Sequence, residues 1–205
     1  MRILLVSGST RAASGSTAAL RTAQALAHDG VAAGLYGGLA ALPAFNPDDD
    51  RDPLPPPVRE LRERIAAADA LLFCTPEYAG TLPGSLKNLL DWTVGGGEMD
   101  GKPAGWINVA VGGRGRGATE HLAMVLRYVG AVAVEGACAE LPVPRESVGP
   151  DGLIGDPAIR ARLTSVLSAL ARSPASGPKQ CRATLRIKCT GRTRLNTDTR
   201  SAAYP

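Results

Sequence analysis

Met1-Arg2-Ile3-Leu4-Leu5-Val6 leads straight into Ser7-Gly8-Ser9-Thr10-Arg11-Ala12-Ala13-Ser14-Gly15-Ser16-Thr17. The apolar run at 3–6 has the composition of a strand buried on both faces. Beyond the polar stretch, Ala19, Leu20, Ala23, Leu26 and Ala27 recur at helical spacing. The reading is strand, hydroxyl-rich loop, helix. The first turn of a helix leaves backbone N–H groups unpaired, and its macrodipole favours an anion there. Hydroxyls add donors, glycines admit close approach, and Arg11 adds a charged fork suited to phosphate oxygens. The junction is a candidate phosphate cradle. The competing reading is an ordinary βα turn in which Ser14 or Ser16 is only the helix cap.

The same alternation continues outward from this unit. A second strand is expected over 31–36, then a Gly-, Pro- and Asp-rich loop over 37–57 with the solvated triplet Asp48-Asp49-Asp50. Val58, Leu61 and Ile65 follow Pro55-Pro56-Pro57 at helical spacing. Ala70-Leu71-Leu72-Phe73-Cys74 reads as another buried strand, ending in Thr75-Pro76-Glu77-Tyr78-Ala79-Gly80-Thr81. A helix from Pro83 carries Leu86, Leu89, Leu90 and Val94 on one face and stops at Gly95-Gly96-Gly97. A strand over 106–111 runs into Gly112-Gly113-Arg114-Gly115-Arg116-Gly117. A helix follows with Leu122, Val125, Leu126 and Val129, then a strand over 132–134 and a last helix with Ile159, Leu163, Val166, Leu167 and Leu170.

Five βα repeats call for an α/β parallel sheet with helices on both faces. Ligands bind such sheets beyond the C-terminal strand ends, where strand order reverses. With five strands in the order 2-1-3-4-5, the loops after the first, third and fourth strands meet at that point. These are the three loops of unusual composition.

The chain has 205 residues and an apolar fraction of 44%, enough for one domain with a sizeable core. No window approaches the ~20 apolar residues that span a bilayer. The N-terminal apolar run is too short for a secretory signal, so a cytoplasmic location is expected. The sequence pI of 9.1 comes from the end of the chain. Residues 173–205 hold seven basic residues and one acid, a net of +6, which leaves −2 of the whole-chain +4 for residues 1–172. The expected organisation is a domain over 1–172 and a basic, disordered tail over 173–205.

Cys74, Cys138, Cys181 and Cys189 are far apart, and no C-x-x-C occurs, which argues against zinc and iron–sulfur sites. Cys74 and Cys138 read as core thiols. His28 and His121 are expected on the surface of helices. With no G-x-S-x-G elbow, a Ser-His-Asp hydrolase has little support. Gly96 to Lys102 fits G-x-x-x-x-G-K, but Pro103 stands where a hydroxyl should hold magnesium, and the match precedes a strand instead of following one.

Three pieces together resemble the NADPH-dependent FMN reductase family of flavodoxin-like proteins, which includes quinone, chromate and azo-dye reductases. They are Gly8 to Ser16, Thr75 to Tyr78 with Leu82-Pro83-Gly84-Ser85-Leu86-Lys87-Asn88-Leu89-Leu90-Asp91-Trp92, and the loop Gly112 to Gly117. The resemblance implies a flavodoxin-like sheet that binds FMN and takes hydride from NADPH or NADH for a small-molecule electron acceptor. It implies that Ser9, Arg11, Ser14, Ser16 and Thr17 hold the FMN phosphate. Pro76, Glu77, Tyr78, Ala79 and Gly80 would flank the isoalloxazine ring. Gly112, Gly113, Gly115, Arg116 and Gly117 would close its other edge.

Arg114 and Arg116 are candidates for meeting dinucleotide phosphates or the acceptor. The flavin carries the chemistry, so no catalytic acid or base is nominated. A homodimer or homotetramer is implied, with no nucleic-acid or membrane partner. The alternative is a flavodoxin-like electron carrier without NAD(P)H turnover. The chain departs from the usual family pattern at Ser16 and Ala79, where Asn is common, near Gly112, where Ser is common, and at Arg116-Gly117, where Gly-Gly is common. These departures bear on substrate choice more than on fold.

Overall fold

Alternate residues of the strands feed two separate cores, and that is what places helices on both faces of the sheet. The structure, a computed structural model, describes residues 1–11, 13–28 and 30–173. Its regular elements are β1 (Arg2–Ser7), α1 (Gly15–Ala25), β2 (Ala32–Leu35), α2 (Pro56–Ala67), β3 (Ala70–Cys74), α3 (Gly84–Asp91), β4 (Pro103–Asn108), α4 (Arg116–Tyr128), β5 (Val132–Glu140) and α5 (Pro157–Arg172). The strands form one sheet in the order β2-β1-β3-β4-β5, every pair parallel. Leu4, Val6, Leu71 and Phe73 point to the face covered by α2, α3 and α4. Ile3, Leu5, Ala70, Leu72 and Cys74 point to the face covered by α1 and α5. The sheet therefore has the expected order, with β1 and β3 side by side at the reversal.

Boundaries differ from expectation in four places, each for a local reason. The strand expected over 106–111 is β4, Pro103–Asn108. The chain leaves the sheet after Asn108, whose side chain accepts from the Ala110 N–H at 3.1 Å. The strand expected over 132–134 runs on to Glu140. A register shift between Ala104 and Trp106 absorbs the irregular stretch around Glu135-Gly136 and lets Trp106 pair with Cys138. Helix α3 ends at Asp91, and Val94, expected on its buried face, is 65% exposed. Helix α1 stops at Ala25, so His28 lies in the turn after it and not on a helix. His121 lies on α4, and both histidines are exposed.

Lys102, which closes the G-x-x-x-x-G-K match, has a structural post. Its Nζ donates to the carbonyls of Ile65 at 2.8 Å and Ala68 at 2.6 Å, tying β4 to the end of α2. The 37–55 loop is anchored by the buried Trp92, whose Nε1 donates to the Pro43 carbonyl at 2.9 Å and whose ring meets Phe45 edge-on at 5.0 Å. No described helix is long and apolar enough to cross a membrane. The expected basic tail, from residue 174 on, lies outside the described residues.

Candidate functional site

Because β1, β3 and β4 are adjacent and parallel, the loops that follow them open on one rim. Direct contacts join all three. The Gly8 N–H donates to the Cys74 carbonyl at 2.9 Å, which fixes the first loop to the end of β3. A Cβ on Gly15 would stand 3.8 Å from Val109, just past β4. Glu77 accepts from the Ala118 N–H at 3.2 Å, so the loop after β3 supplies the carboxylate at the N-terminus of α4. Gly117 explains how these last two loops come so close. A side chain there would run into the Gly80 carbonyl oxygen.

The first loop is knitted by its own hydroxyls. Ser14 is the N-cap of α1 and accepts from the Thr17 N–H at 3.0 Å. The Ser14 hydroxyl also donates to Thr17 Oγ1 at 2.8 Å, and Thr17 Oγ1 lies 2.9 Å from Ser7 Oγ. Ser7 Oγ accepts from the Ser9 N–H at 3.3 Å, and Ser9 Oγ accepts from the Arg11 N–H at 3.2 Å. The first i→i−4 bond of α1 runs from Ala18 to Ser14, so the N–H groups of Gly15 and Ser16 lie ahead of the helical ladder. Arg11 is exposed and makes no ion pair among the described residues.

The rim between the other two loops is largely main chain. Tyr78 and Thr81 exchange both backbone hydrogen bonds, at 3.0 and 3.1 Å, around Ala79 and Gly80. Ala79 has φ 51°, an unusual left-handed conformation for a residue with a Cβ. Gly112 and Gly113 have φ of 71° and 72°, and open space lies where their side chains would stand. Asn108 holds this loop from beneath. It is 1% exposed, and its Nδ2 donates to the Arg114 carbonyl and to Glu140 Oε2, both at 2.8 Å.

A family model described as NADPH-dependent FMN reductase matches residues 1–142. The chain belongs to this family. It is an oxidoreductase of the FMN- and NAD(P)H-dependent class. It is 37% identical over 132 residues to an NAD(P)H-dependent FMN reductase of Pseudomonas aeruginosa, covering 63% of this chain and 71% of that one. A protein of Oryza sativa subsp. japonica named as a probable NADPH:quinone oxidoreductase is 31% identical over 182 residues, or 83% of this chain and 90% of that one. The solved structure of FerB, a flavoenzyme NAD(P)H:(acceptor) oxidoreductase from Paracoccus denitrificans, superposes with a TM-score of 0.73. It is 30% identical and covers 82% of this chain and 94% of that one.

Set against what FMN reductase resemblance implied, the rim gathers the three predicted segments but gives some side chains other partners. Burial pushes the Cys74 thiol up to about 12, an effect the nearby Ser16 side chain partly offsets. Glu77 spends its carboxylate on α4. Arg116 pairs with Glu120 at 3.7 Å on the surface, and Arg114 Nε donates to the Val111 carbonyl at 3.1 Å. Cys138, expected in the core, is half-buried, with Sγ 3.3 Å from the Val134 carbonyl. Asn108, Glu140 and Ser7 are rim-shaping residues that the sequence reading missed. A polar residue inside the run Trp106-Ile107-Asn108-Val109 was the available signal for the first.

Proposed function

We propose that the β1–β3–β4 rim is the FMN seat of an NAD(P)H oxidoreductase that delivers electrons to a quinone, a flavin or a similar small acceptor. The observation that carries this reading is the direct contact of all three loops at one rim, in a chain of the FMN reductase family. The residues fit the cofactor. The first turn of α1 offers N–H groups and an unpaired Arg11 to a dianionic phosphate. The open backbone at Gly112 and Gly113 leaves room beside a flat ring.

In this reading Ser9, Arg11, Ser14 and Thr17, with the N–H of Ser16, hold the phosphate. Peptide groups of Pro76 to Gly80 and of Gly112 to Gly117 orient the ring, and half-exposed Tyr78 lines the approach. FMN held there would supply the hydride-accepting and electron-passing chemistry between NAD(P)H and the acceptor. The protein positions and shields; none of its groups is assigned a proton-transfer role. A cytoplasmic location, where NAD(P)H is supplied, belongs to the same reading. So does homo-oligomerisation through the exposed apolar Met124 and Tyr128 of α4.

The test is an absorption spectrum. Purified protein is expected to be yellow or to take up added FMN, and to bleach with NADPH under anaerobic conditions. A protein that binds no FMN overturns the reading. Flavin that bleaches with dithionite but not with NAD(P)H points to an electron carrier. Arg11→Ala is expected to weaken FMN by about 1.5–3 kcal/mol, roughly tenfold to a hundredfold by fluorescence titration.

A further inference from the structure

A cavity of about 450 Å³ lies between α1 and the loop that follows β5. Three guanidinium groups line it: Arg11 from the first loop, Arg21 from α1 and Arg145 from the loop after β5. No carboxylate lines it. None of the three arginines makes an ion pair among the described residues. The wall sorts its charges, because Glu146 and Asp151 of the same loop line a different cavity together with Arg160.

The wall is preformed. The buried Ile154 N–H donates to Thr22 Oγ1 of α1 at 2.9 Å. Val148 and Ile154 form a β-bridge, the Gly149 N–H donates to the Leu153 carbonyl at 2.8 Å, and the Val143 N–H donates to the Val109 carbonyl at 3.0 Å. A loop fixed at both ends holds Arg145 against α1 without waiting for a ligand.

One phosphate at the start of α1 does not account for this space. The cavity shares Arg11, Ser14 and Gly15 with the proposed FMN phosphate seat and runs on to Arg21, about 9 Å of helix rise, or less than two turns, from Gly15. With Arg11 given to the FMN phosphate, the unpaired forks of Arg21 and Arg145 remain to meet a second anion. We propose that the Arg11–Arg21–Arg145 cavity receives the phosphorylated adenosine end of NADPH, and that Arg21 and Arg145 bind its 2′-phosphate and set a preference for NADPH over NADH. This rests on the reading that the adjoining rim seats FMN. NADH lacks the 2′-phosphate, so the two dinucleotides differ in the group the arginines recognise.

Steady-state kinetics and calorimetry test the proposal. Arg21→Ala and Arg145→Ala are each expected to lower the ratio of kcat/KM for NADPH to that for NADH about tenfold, the effect of one charge-assisted phosphate contact. Arg162→Ala, an exposed α5 arginine outside the cavity, controls for net charge and should leave the ratio alone. Adenosine 2′,5′-bisphosphate should bind the wild-type protein and bind Arg145→Ala about tenfold more weakly, while inorganic phosphate at equal concentration should not displace it. An unchanged ratio in both cavity variants overturns the proposal. So does an equal fall in Arg162→Ala, no binding of the bisphosphate to the wild type, or equal competition by phosphate. Failure of the FMN reading is seen separately. A protein that takes up no flavin can still be titrated with the bisphosphate, and a flavin-loaded protein with an unmoved ratio refutes only the cavity.

Discussion

Asn108 shows how much of the rim rests on one buried amide. Its Nδ2 serves two acceptors and its Oδ1 accepts from Ala110, so three parts of the chain meet on a side chain that is 1% exposed. Asn108→Ala leaves Glu140 and the Arg114 carbonyl short of a donor. Chemical denaturation should show a loss of about 2–3 kcal/mol, and FMN affinity should fall with it as the glycine loop loosens. The isosteric Asn108→Asp should do no better, because a carboxylate cannot donate to Glu140. The Ser14 cap and the place of Arg11 in the loop before α1 were legible from residue types at a strand–helix junction. Asn108 was hidden, since a polar residue closing an apolar strand looks like the start of any loop. Arg21 and Arg145 were hidden for another reason: they are separated by most of the chain, and only the packing of α1 beside the loop after β5 brings them together.

Among the elements, α4 and the loop after β3 meet at a tightly constrained junction. A β-carbon at position 117 would strike the Gly80 oxygen, and Glu77 needs the same closeness to reach the Ala118 N–H. Gly117→Ala is expected to push α4 away from that loop, with FMN titrations weakened at least about tenfold, in the range of an overpacking cost of 1–3 kcal/mol. Far-UV circular dichroism should stay native, since the clash is confined to a surface junction; unchanged FMN affinity would remove this contact from the seat. Strands β1 and β3 were readable as continuous apolar runs, because both their faces are buried, and the helices from their period, because each buries one face. The extent of β5 was not. Glu135-Gly136 interrupts its apolar pattern, and the bulge opposite Gly105 that carries the strand past them is a property of the pair, not of either sequence segment. Val94 failed for the converse reason: it keeps the helical spacing after the helix has ended.

Across the whole molecule, three weak acids are held neutral beyond their ordinary range. Burial pushes Cys74 up from 9.0 to about 12, Cys138 from 9.0 to about 11 and Tyr36 from 10.0 to about 12. An unfolded chain releases these protons near pH 9 to 10, whereas the native chain keeps them. Above pH 9 the unfolded state therefore binds fewer protons, and stability falls as pH rises. Urea-unfolding free energies should be level between pH 7.5 and 8.5 and decline from about pH 9 to 11, by up to about 1.4 kcal/mol per pH unit for the fully buried Cys74. Cys74→Ala should decline less steeply over the same window, and an equal slope would show that this thiol is not the titrating group. The strand order that governs this core was foreseeable, because the order 2-1-3-4-5 makes the first, third and fourth strands neighbours and brings their unusual loops together.

The main-chain character of the rim has an evolutionary corollary. Point substitutions exchange side chains and leave peptide groups where they were. Tyr78, Val111 and Arg114 have exposed side chains at this rim, while the turns at Ala79, Gly80, Gly112 and Gly113 offer mainly backbone to the proposed FMN seat. A lineage can therefore redecorate the mouth and switch oxidants while inheriting the same seat.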